Sequence, residues 1–511
     1  MQEPASFLAV DLGASNGRIM KVDWDGSRFV LDEVYRFPNG GIRTAQHLHW
    51  DTTQIWSQIQ LGIKKFFSST GKYPAGIGVD AWGVDYGLLD NRGQLLCDPY
   101  HYRDHRTDGV VESVRPVISE AEVFRITGVQ TMAINTVYQL SSIIASGSDE
   151  LSHADTLLLI PDLFQYFLCG EKRAEYTEAT TTQLVYAGTR TWAREVAERL
   201  GIPLHIFPPI CSPGTRLGSM RKSVSENCGL RRCPPCLAVA AHDTASAVAA
   251  IPSMDEESIF LSSGTWSLMG VVADRPDTSD EAYRLGFTNE GAADGGILLL
   301  KNLNGLWILQ ECQRCWNRPE AASWNAIEDA ATSADAFRSL IDASAADFQS
   351  PENMVSQVRQ FCKDSGQPVP ETLGQIARCV LESLCLLYSH TVQDLLGLTG
   401  RQLSTIRIVG GGVMNHLLCQ MVADACDIEV VAGPVEAAAL GNAVLQAVAT
   451  GHILGCDQRR VAIGESVHLS HYRPRLDDRW KSSSDQIAVF VDRVRAARVQ
   501  SKFRSTALTS R

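Results

Sequence analysis

Two stretches of this chain repeat one pattern, and that pattern limits the possible folds more than any other feature. In Phe7-Leu-Ala-Val-Asp-Leu-Gly-Ala-Ser-Asn-Gly-Arg-Ile-Met20 an apolar run of strand type ends in Asp11. A turn of small residues follows, and Arg18 opens a second strand. In Ile259-Phe-Leu-Ser-Ser-Gly-Thr-Trp-Ser-Leu-Met-Gly-Val-Val272 a strand again runs into a turn rich in Ser and Gly, and a second strand leaves it. Small residues at such turns let backbone N–H groups approach an anion. A carboxylate at the strand end, as at Asp11, suits a hydrated divalent cation. Gly264 permits φ > 0, and Thr265 offers a hydroxyl and an N–H to a phosphate. Either hairpin alone is equally an ordinary polar turn. Two of them half a chain apart point to an internal duplication, with a phosphate clamped in a cleft between two domains.

At 511 residues the chain exceeds what one hydrophobic core serves, so two large domains are expected, at 1–247 and 248–511. The net charge of −12 argues against a nucleic-acid partner, which needs a basic surface. It leaves a nucleotide site open, because a few local N–H groups and one Mg²⁺ suffice there. No apolar run reaches the ~18 residues needed to span a bilayer. The N-terminus lacks a basic segment followed by an apolar core, so a cytoplasmic protein is expected, monomer or homodimer. The 14 cysteines are scattered. Cys233-Pro-Pro-Cys236 and Cys312-Gln-Arg-Cys315 lie too far apart for a zinc ribbon, so free thiols are expected. Cys228 remains a conceivable third ligand beside the first pair.

The first hairpin leads into a third strand at Arg28–Phe37, and Asp51–Phe67 has helical spacing with Ile55, Ile59 and Ile63 on one face. Gly76–Asp90 reads as strand, loop, strand, with Asp80, Trp82, Gly83 and Asp85 in the loop; the two acids are as readily turn residues as functional ones. This order describes an RNase H-like half. Residues 100–230 read as an insertion that shapes a substrate pocket. Leu237–Val248 reads as a buried strand, a polar tip and a helix start, and His242-Asp-Thr244 is the best catalytic candidate. Asp243 there either takes a proton from a substrate hydroxyl or caps the helix. Lys301–Gln310 reads as a helix start presenting the amides of Asn302 and Gln310 on one side. Ile406–Asp424 reads as strand, triple glycine and helix. The backbone bared by Gly410, Gly411 and Gly412 admits a flat ring or a phosphate. Pro434 opens a small-residue helix over Val435–Leu445. Arg493, Arg495, Arg498, Arg504 and Arg511 mark a basic tail.

These segments resemble the FGGY carbohydrate kinases. The matching residues are Asp11-Leu-Gly-Ala-Ser, Trp82-Gly-Val-Asp85, Tyr176-Thr-Glu-Ala-Thr-Thr-Thr-Gln-Leu184, His242-Asp-Thr-Ala-Ser-Ala-Val248, Leu261-Ser-Ser-Gly-Thr-Trp-Ser-Leu-Met-Gly270, Asn289-Glu-Gly291, Lys301-Asn302 and Ile408-Val-Gly-Gly-Gly412. They run from the N-terminus to about residue 445 in the family's order. The resemblance implies an α/β architecture, the actin/hexokinase-type ATPase fold, with two RNase H-like domains flanking a catalytic cleft. His-Asp-Thr-Ala-Ser-Ala together with Ser-Ser-Gly-Thr-Trp-Ser-Leu-Met is similar to the branch that uses ATP and Mg²⁺ to phosphorylate the 1-hydroxyl of L-rhamnulose. Carried over residue by residue, it implies Asp243 as proton acceptor. Gly83, His242, Thr244 and Asn302 would touch the sugar. Ala14, Ser15, Asn16, Gly17, Arg18, Thr265, Gln310 and Gly411 would touch ATP, and Asp11 would hold Mg²⁺ through water. The departures are Asn16, where Ser is familiar, and the Cys- and Pro-rich stretch 228–236; Gly451–Arg511 has no functional match. The alternatives are a kinase for another ketose or polyol and a catalytically silent sugar-responsive regulator. Loss of Asp243 or Asp11 would mark the regulator, and both are present.

Overall fold

The structure, a computed structural model, describes residues 4–316, 323–348, 351–487 and 489–494. Arg495, Arg498, Arg504 and Arg511 of the basic tail therefore lie outside the described residues. The chain forms two compact units. The first comprises Met1–Met254, Val272–Leu300 and Glu436–Val467; the second comprises Asp255–Val271, Lys301–Val435 and His468–Arg511.

In the first unit β1 (Ala5–Leu12) pairs antiparallel with β2 (Asn16–Trp24), and β3 (Phe29–Pro38) continues the meander. On its other side β1 runs parallel to β4 (Gly76–Ala81). With β5 (Arg216–Ser219) and β6 (Pro235–Leu237) the sheet order is β5-β6-β4-β1-β2-β3. Phe7 to Val10 are apolar without alternation because β1 is buried along almost its whole length, as central strands covered on both faces are. Helix α1 (Thr52–Thr70) starts where Asp51 accepts a hydrogen bond from the Gln54 N–H at 2.8 Å, and Gly71 ends it in the left-handed conformation. Its Ile55, Ile59, Ile63 and Phe66 enter the core beside Leu8, Val10 and Ile19.

Four further helices are α2 (Ile160–Cys169), the single-turn α3 (Tyr176–Thr180), α4 (Asp243–Ala249) and, in the second unit, α5 (Trp307–Trp316). Strand β7 (Ser258–Ser263) pairs antiparallel with β8 (Trp266–Ala273), and β9 (Thr288–Gly291) with β10 (Ile297–Asn304). Strand β7 runs parallel to β11 (Thr405–Val409), which is parallel to β12 (Glu429–Ala432), and β13 (Ser470–Tyr472) closes the edge antiparallel. The order β8-β7-β11-β12 thus repeats β2-β1-β4-β6 of the first unit. Helices α6 (His416–Cys426) and α7 (Ala437–Ala449) complete the elements used below.

Three expectations need correction. Lys301–Gln310 does not open a helix: the apolar run from Ile297 carries β10 on to Asn304, and α5 begins only at Trp307. The turn between them presses Gly305 against backbone, where a Cβ would lie 2.6 Å from the Trp266 carbonyl carbon. Pro434 precedes its helix instead of opening it; the Gly433–Pro434 peptide is cis and α7 begins at Ala437. Asp80 is not a loop residue but lies in β4, in register with Asp11 on β1. Among the described residues all cysteines are free, no cluster of three or more candidate metal ligands forms, and no helix is long and apolar enough to cross a membrane.

Candidate active site

Parallel pairing assembles the acidic end of the first unit. Asp11 and Asp80 are register partners near the carboxyl ends of adjacent strands. Next to them the Ala81 N–H donates to the Ala241 carbonyl at 2.8 Å, which brings the 241–243 segment alongside β4. Three carboxyls, on Asp11, Asp80 and Asp243, are therefore carried by β1, β4 and the segment alongside β4; the Asp243 charge raises the pKa of Asp11, and both raise that of Asp80. Burial is the main cause of the upward shift at Asp11, opposed by Arg18 and reinforced by Asp243. Asp80 rises well above the usual carboxylate range through burial and the Asp11 charge, against a hydrogen bond from Asn442 Nδ2 at 2.5 Å. Its Oδ1 has no hydrogen-bond partner among the described residues.

Asp243 is the first residue of α4. His242 holds the N-cap position, and no side chain caps the helix, so capping does not consume the Asp243 carboxylate. The Thr244 hydroxyl donates to its Oδ1 at 3.2 Å, and His242 Nε2 stands 3.7 Å from the same oxygen. The side chain is 37% exposed yet recessed, and lost hydration raises its pKa, with His242 opposing. On its other edge His242 Nδ1 lies 3.1 Å from Glu290 Oε2, an ion-pair distance without hydrogen-bond alignment. Burial depresses the imidazole, but the carboxylates of Glu290, Asp243 and Glu175 together outweigh it and the net shift is upward.

Gly83 belongs to the same unit. A Cβ there would lie 2.9 Å from Thr181 Cγ2, and the Val84 N–H donates to Thr181 Oγ1 at 3.0 Å. Asp85 has a purely structural setting. It accepts from Trp50 Nε1 at 2.7 Å, Trp82 Nε1 at 3.0 Å, Gln139 Nε2 at 2.9 Å and the Tyr102 N–H at 3.1 Å. Burial nonetheless lifts its pKa to about 6.

The turn Gly13–Gly17 is held from within. The Gly13 N–H donates to the Asn16 carbonyl at 2.9 Å, Asn16 Oδ1 accepts from Arg36 at 3.0 Å, and Arg18 binds both Asp11 and Glu436. A side chain at Gly17 would overlap the Phe37 ring, so packing alone explains that glycine. Ala14 is half-buried and Ser15 exposed.

The second unit brings Thr265, Gln310 and the glycine turn together. Thr265 Oγ1 donates to Gln310 Oε1 at 3.4 Å, and the Trp307 N–H at the start of α5 donates to the Thr265 carbonyl at 3.1 Å. Gly410 has φ 84°, and a side chain at Gly412 would overlap Ser263, but a Cβ on Gly411 would meet no atom within 4 Å. Gly264 is nearly as open, its nearest contact being the Trp266 carbonyl oxygen at 3.9 Å. Asn302 stands half-buried on β10, eight residues and one element away from Gln310, so the two amides do not share a helix.

Among the described residues no cluster of three or more His, Cys, Asp or Glu forms. A hydrated ion held by one carboxylate and by substrate phosphates is the usual Mg²⁺ arrangement, and Asp11 with Asp80 beside it suits that role. The residues that sequence reasoning undervalued are Asp80, Glu178 and Glu290. Asp80 does carry a local signal, an acid in a Gly-x-Gly-x-Asp strand, whereas the other two gain meaning only through burial.

Residues 6–250 match the N-terminal domain, and residues 259–450 the C-terminal domain, of the FGGY family of carbohydrate kinases. The chain is 40% identical to a rhamnulokinase from Bacteroides thetaiotaomicron, over 94% of this chain and 98% of that protein. It is 37% identical to a rhamnulokinase from Enterococcus faecalis, over 92% and 94%. Among solved structures, gluconate kinase from Lactobacillus acidophilus aligns with TM-score 0.78 at 16% identity, covering 97% of this chain and 98% of that one. Plasmodium falciparum glycerol kinase with ADP aligns with TM-score 0.73 at 14% identity, covering 96% and 98%. At such identities these two matches speak for the fold alone. The duplicated sheet, the strand-end carboxyls and the two family domains agree: the chain belongs to the FGGY family of carbohydrate kinases.

Proposed function

We propose that this kinase is a cytoplasmic enzyme that transfers the γ-phosphoryl group of ATP to the 1-hydroxyl of L-rhamnulose, giving L-rhamnulose 1-phosphate and ADP. The observation that carries the reading is Asp243: a recessed carboxylate, unused for capping, at the head of α4 between His242 and Thr244. Phosphoryl transfer asks for little covalent chemistry from the protein beyond positioning, charge stabilisation and a group to receive the hydroxyl proton. Asp243 accepts that proton as the sugar oxygen bonds to phosphorus, and its raised pKa makes it a stronger base than a surface aspartate. His242, Thr244, Gly83 and Asn302 hold the sugar. Ala14, Ser15, Asn16, Gly17, Arg18, Thr265, Gln310 and Gly411 are assigned to ATP. Mg²⁺ bound with the nucleotide neutralises phosphate charge; Asp11 would hold it through water. The curated relatives named rhamnulokinase favour this sugar over other ketoses. An ADP-release assay with L-rhamnulose, L-fuculose, D-xylulose, D-ribulose and glycerol tests the reading. L-rhamnulose should give the highest kcat/KM, and a higher value for any other acceptor would reject it.

A further inference from the structure

Glu178 takes no part in the chemistry above, yet it is the side chain of the first unit whose burial most needs explaining. It is 0% exposed, and neither carboxylate oxygen has a hydrogen-bond partner among the described residues. A bare carboxylate in such a place is so unfavourable that the group takes up a proton instead. The strongest neighbouring charges press in the same direction. After burial itself, the groups that raise its pKa are Asp162 on α2, Asp243 on α4, Glu175 before α3 and Glu290 on β9, all of them acids. Of the other titratable groups around α3, Cys211 keeps its thiol proton through burial. The Arg190 guanidinium lies 5.1 Å from the centre of the Tyr176 ring, and His242 is engaged by Glu290.

Glu178 also occupies a junction. The His242 N–H donates to Thr177 Oγ1 at 3.1 Å, the Ala241 N–H to Glu175 Oε2 at 2.9 Å, and the Gly291 N–H to Thr180 Oγ1 at 2.9 Å. The Val84 N–H donates to Thr181 just beyond the helix at 3.0 Å. One turn of helix thus ties together the segments that carry Gly83, Asp243 and Glu290, and Glu178 sits on that turn.

We propose that Glu178 is a positioning residue held as a neutral carboxylic acid. Kept neutral, it adds no charge beside Asp243, which remains the ionised member of the group, free to accept the sugar's proton. The two environments explain the division. Asp243 has a hydroxyl donor, an imidazole nearby and contact with solvent; Glu178 has none of these. Neighbouring carboxyls whose surroundings separate their protonation states commonly divide the acid and base roles in this way.

This inference rests on the reading of Asp243 as proton acceptor, and the experiment separates the two. Infrared spectra of the wild-type protein and Glu178→Gln are compared at neutral pH. The wild type should show the carbonyl stretch of a protonated carboxylic acid that the Gln variant lacks, whatever Asp243 does. Glu178→Gln keeps the size and the neutrality of the protonated acid, so its kcat should stay close to wild type. Glu178→Leu, whose branched side chain has another shape and shifts this buried turn, should lose between about tenfold and a hundredfold in kcat, the scale of a small misplacement, with KM for ATP unchanged. Identical spectra in the carboxylic-acid region, or a Gln variant as impaired as the Leu variant, would overturn the proposal. Should the Leu variant not fold, the infrared band and the Gln kinetics decide. Full turnover in Asp243→Asn would instead remove the base reading on which the proposal rests.

Discussion

The β1–β2 turn and the β7–β8 turn occupy equivalent places in two sheets of the same strand order, but they are built differently. The first is charged and internally bonded: Asp11 and Arg18 pair, Asn16 is tied to Arg36, and Gly17 is required by the Phe37 ring. The second carries no charge from Ser262 to Ser267, and its neighbouring glycine turn leaves Gly411 with no contact that a side chain would disturb. One topological position has been filled once with carboxyl chemistry and once with bare backbone. A glycine that neither strain nor packing demands is best explained by something outside the protein approaching the chain, as a nucleotide would.

The contrast can be broken by substitution. The largest effect is expected at Asp243, whose replacement by Asn should lower kcat by about 10²–10⁴-fold, the usual range for a lost general base, with the fold retained. Steady-state kinetics with a thermal melt checks it. Asp11→Ala should come next. Loss of a carboxylate that holds a metal through water typically costs about 10–100-fold, here read as a raised Mg²⁺ requirement, while calorimetry still detects sugar binding. An equal loss of sugar affinity would give Asp11 a structural role.

The glycines sharpen the comparison further. Gly412→Val forces a side chain into Ser263, and overpacking of this kind costs about 1–3 kcal/mol, which should appear as a lower melting temperature. Gly411→Ala, one residue earlier, meets nothing within 4 Å. It should leave the melting temperature unchanged and raise KM for ATP by a few-fold only. A destabilised Gly411→Ala would show that the open turn has an internal purpose after all.

Much of this was legible before the structure. Both hairpins are local objects, announced by an apolar run and a small-residue turn, and α1 by its isoleucine spacing. His242-Asp-Thr244 stood out because an apolar run rarely ends in such a polar tip without cause, although the strand itself stops at Leu237. What escaped was tertiary. Asp80 and Asp85 look alike in sequence, yet Asp85 gathers four donors, whereas Asp80 leaves one oxygen unpartnered among the described residues. Lys301–Asn304 reads as polar helix start because nothing local says that β9 stands ready to pair with the residues just before it. Glu178 lies in a run of threonines whose hydroxyls proved to be acceptors for three separate segments, a role no spacing reveals.

The claim that the first unit's acids perform the chemistry while the second unit's open glycine serves the nucleotide is tested most directly by ADP affinity. Calorimetric titration of ADP should give the wild-type Kd for Asp243→Asn and, for Gly411→Leu, a Kd raised by about tenfold or more, equivalent to about 1.4 kcal/mol. A Gly411→Leu variant that binds ADP like wild type, or an Asp243→Asn variant that loses ADP as well as turnover, would contradict the account.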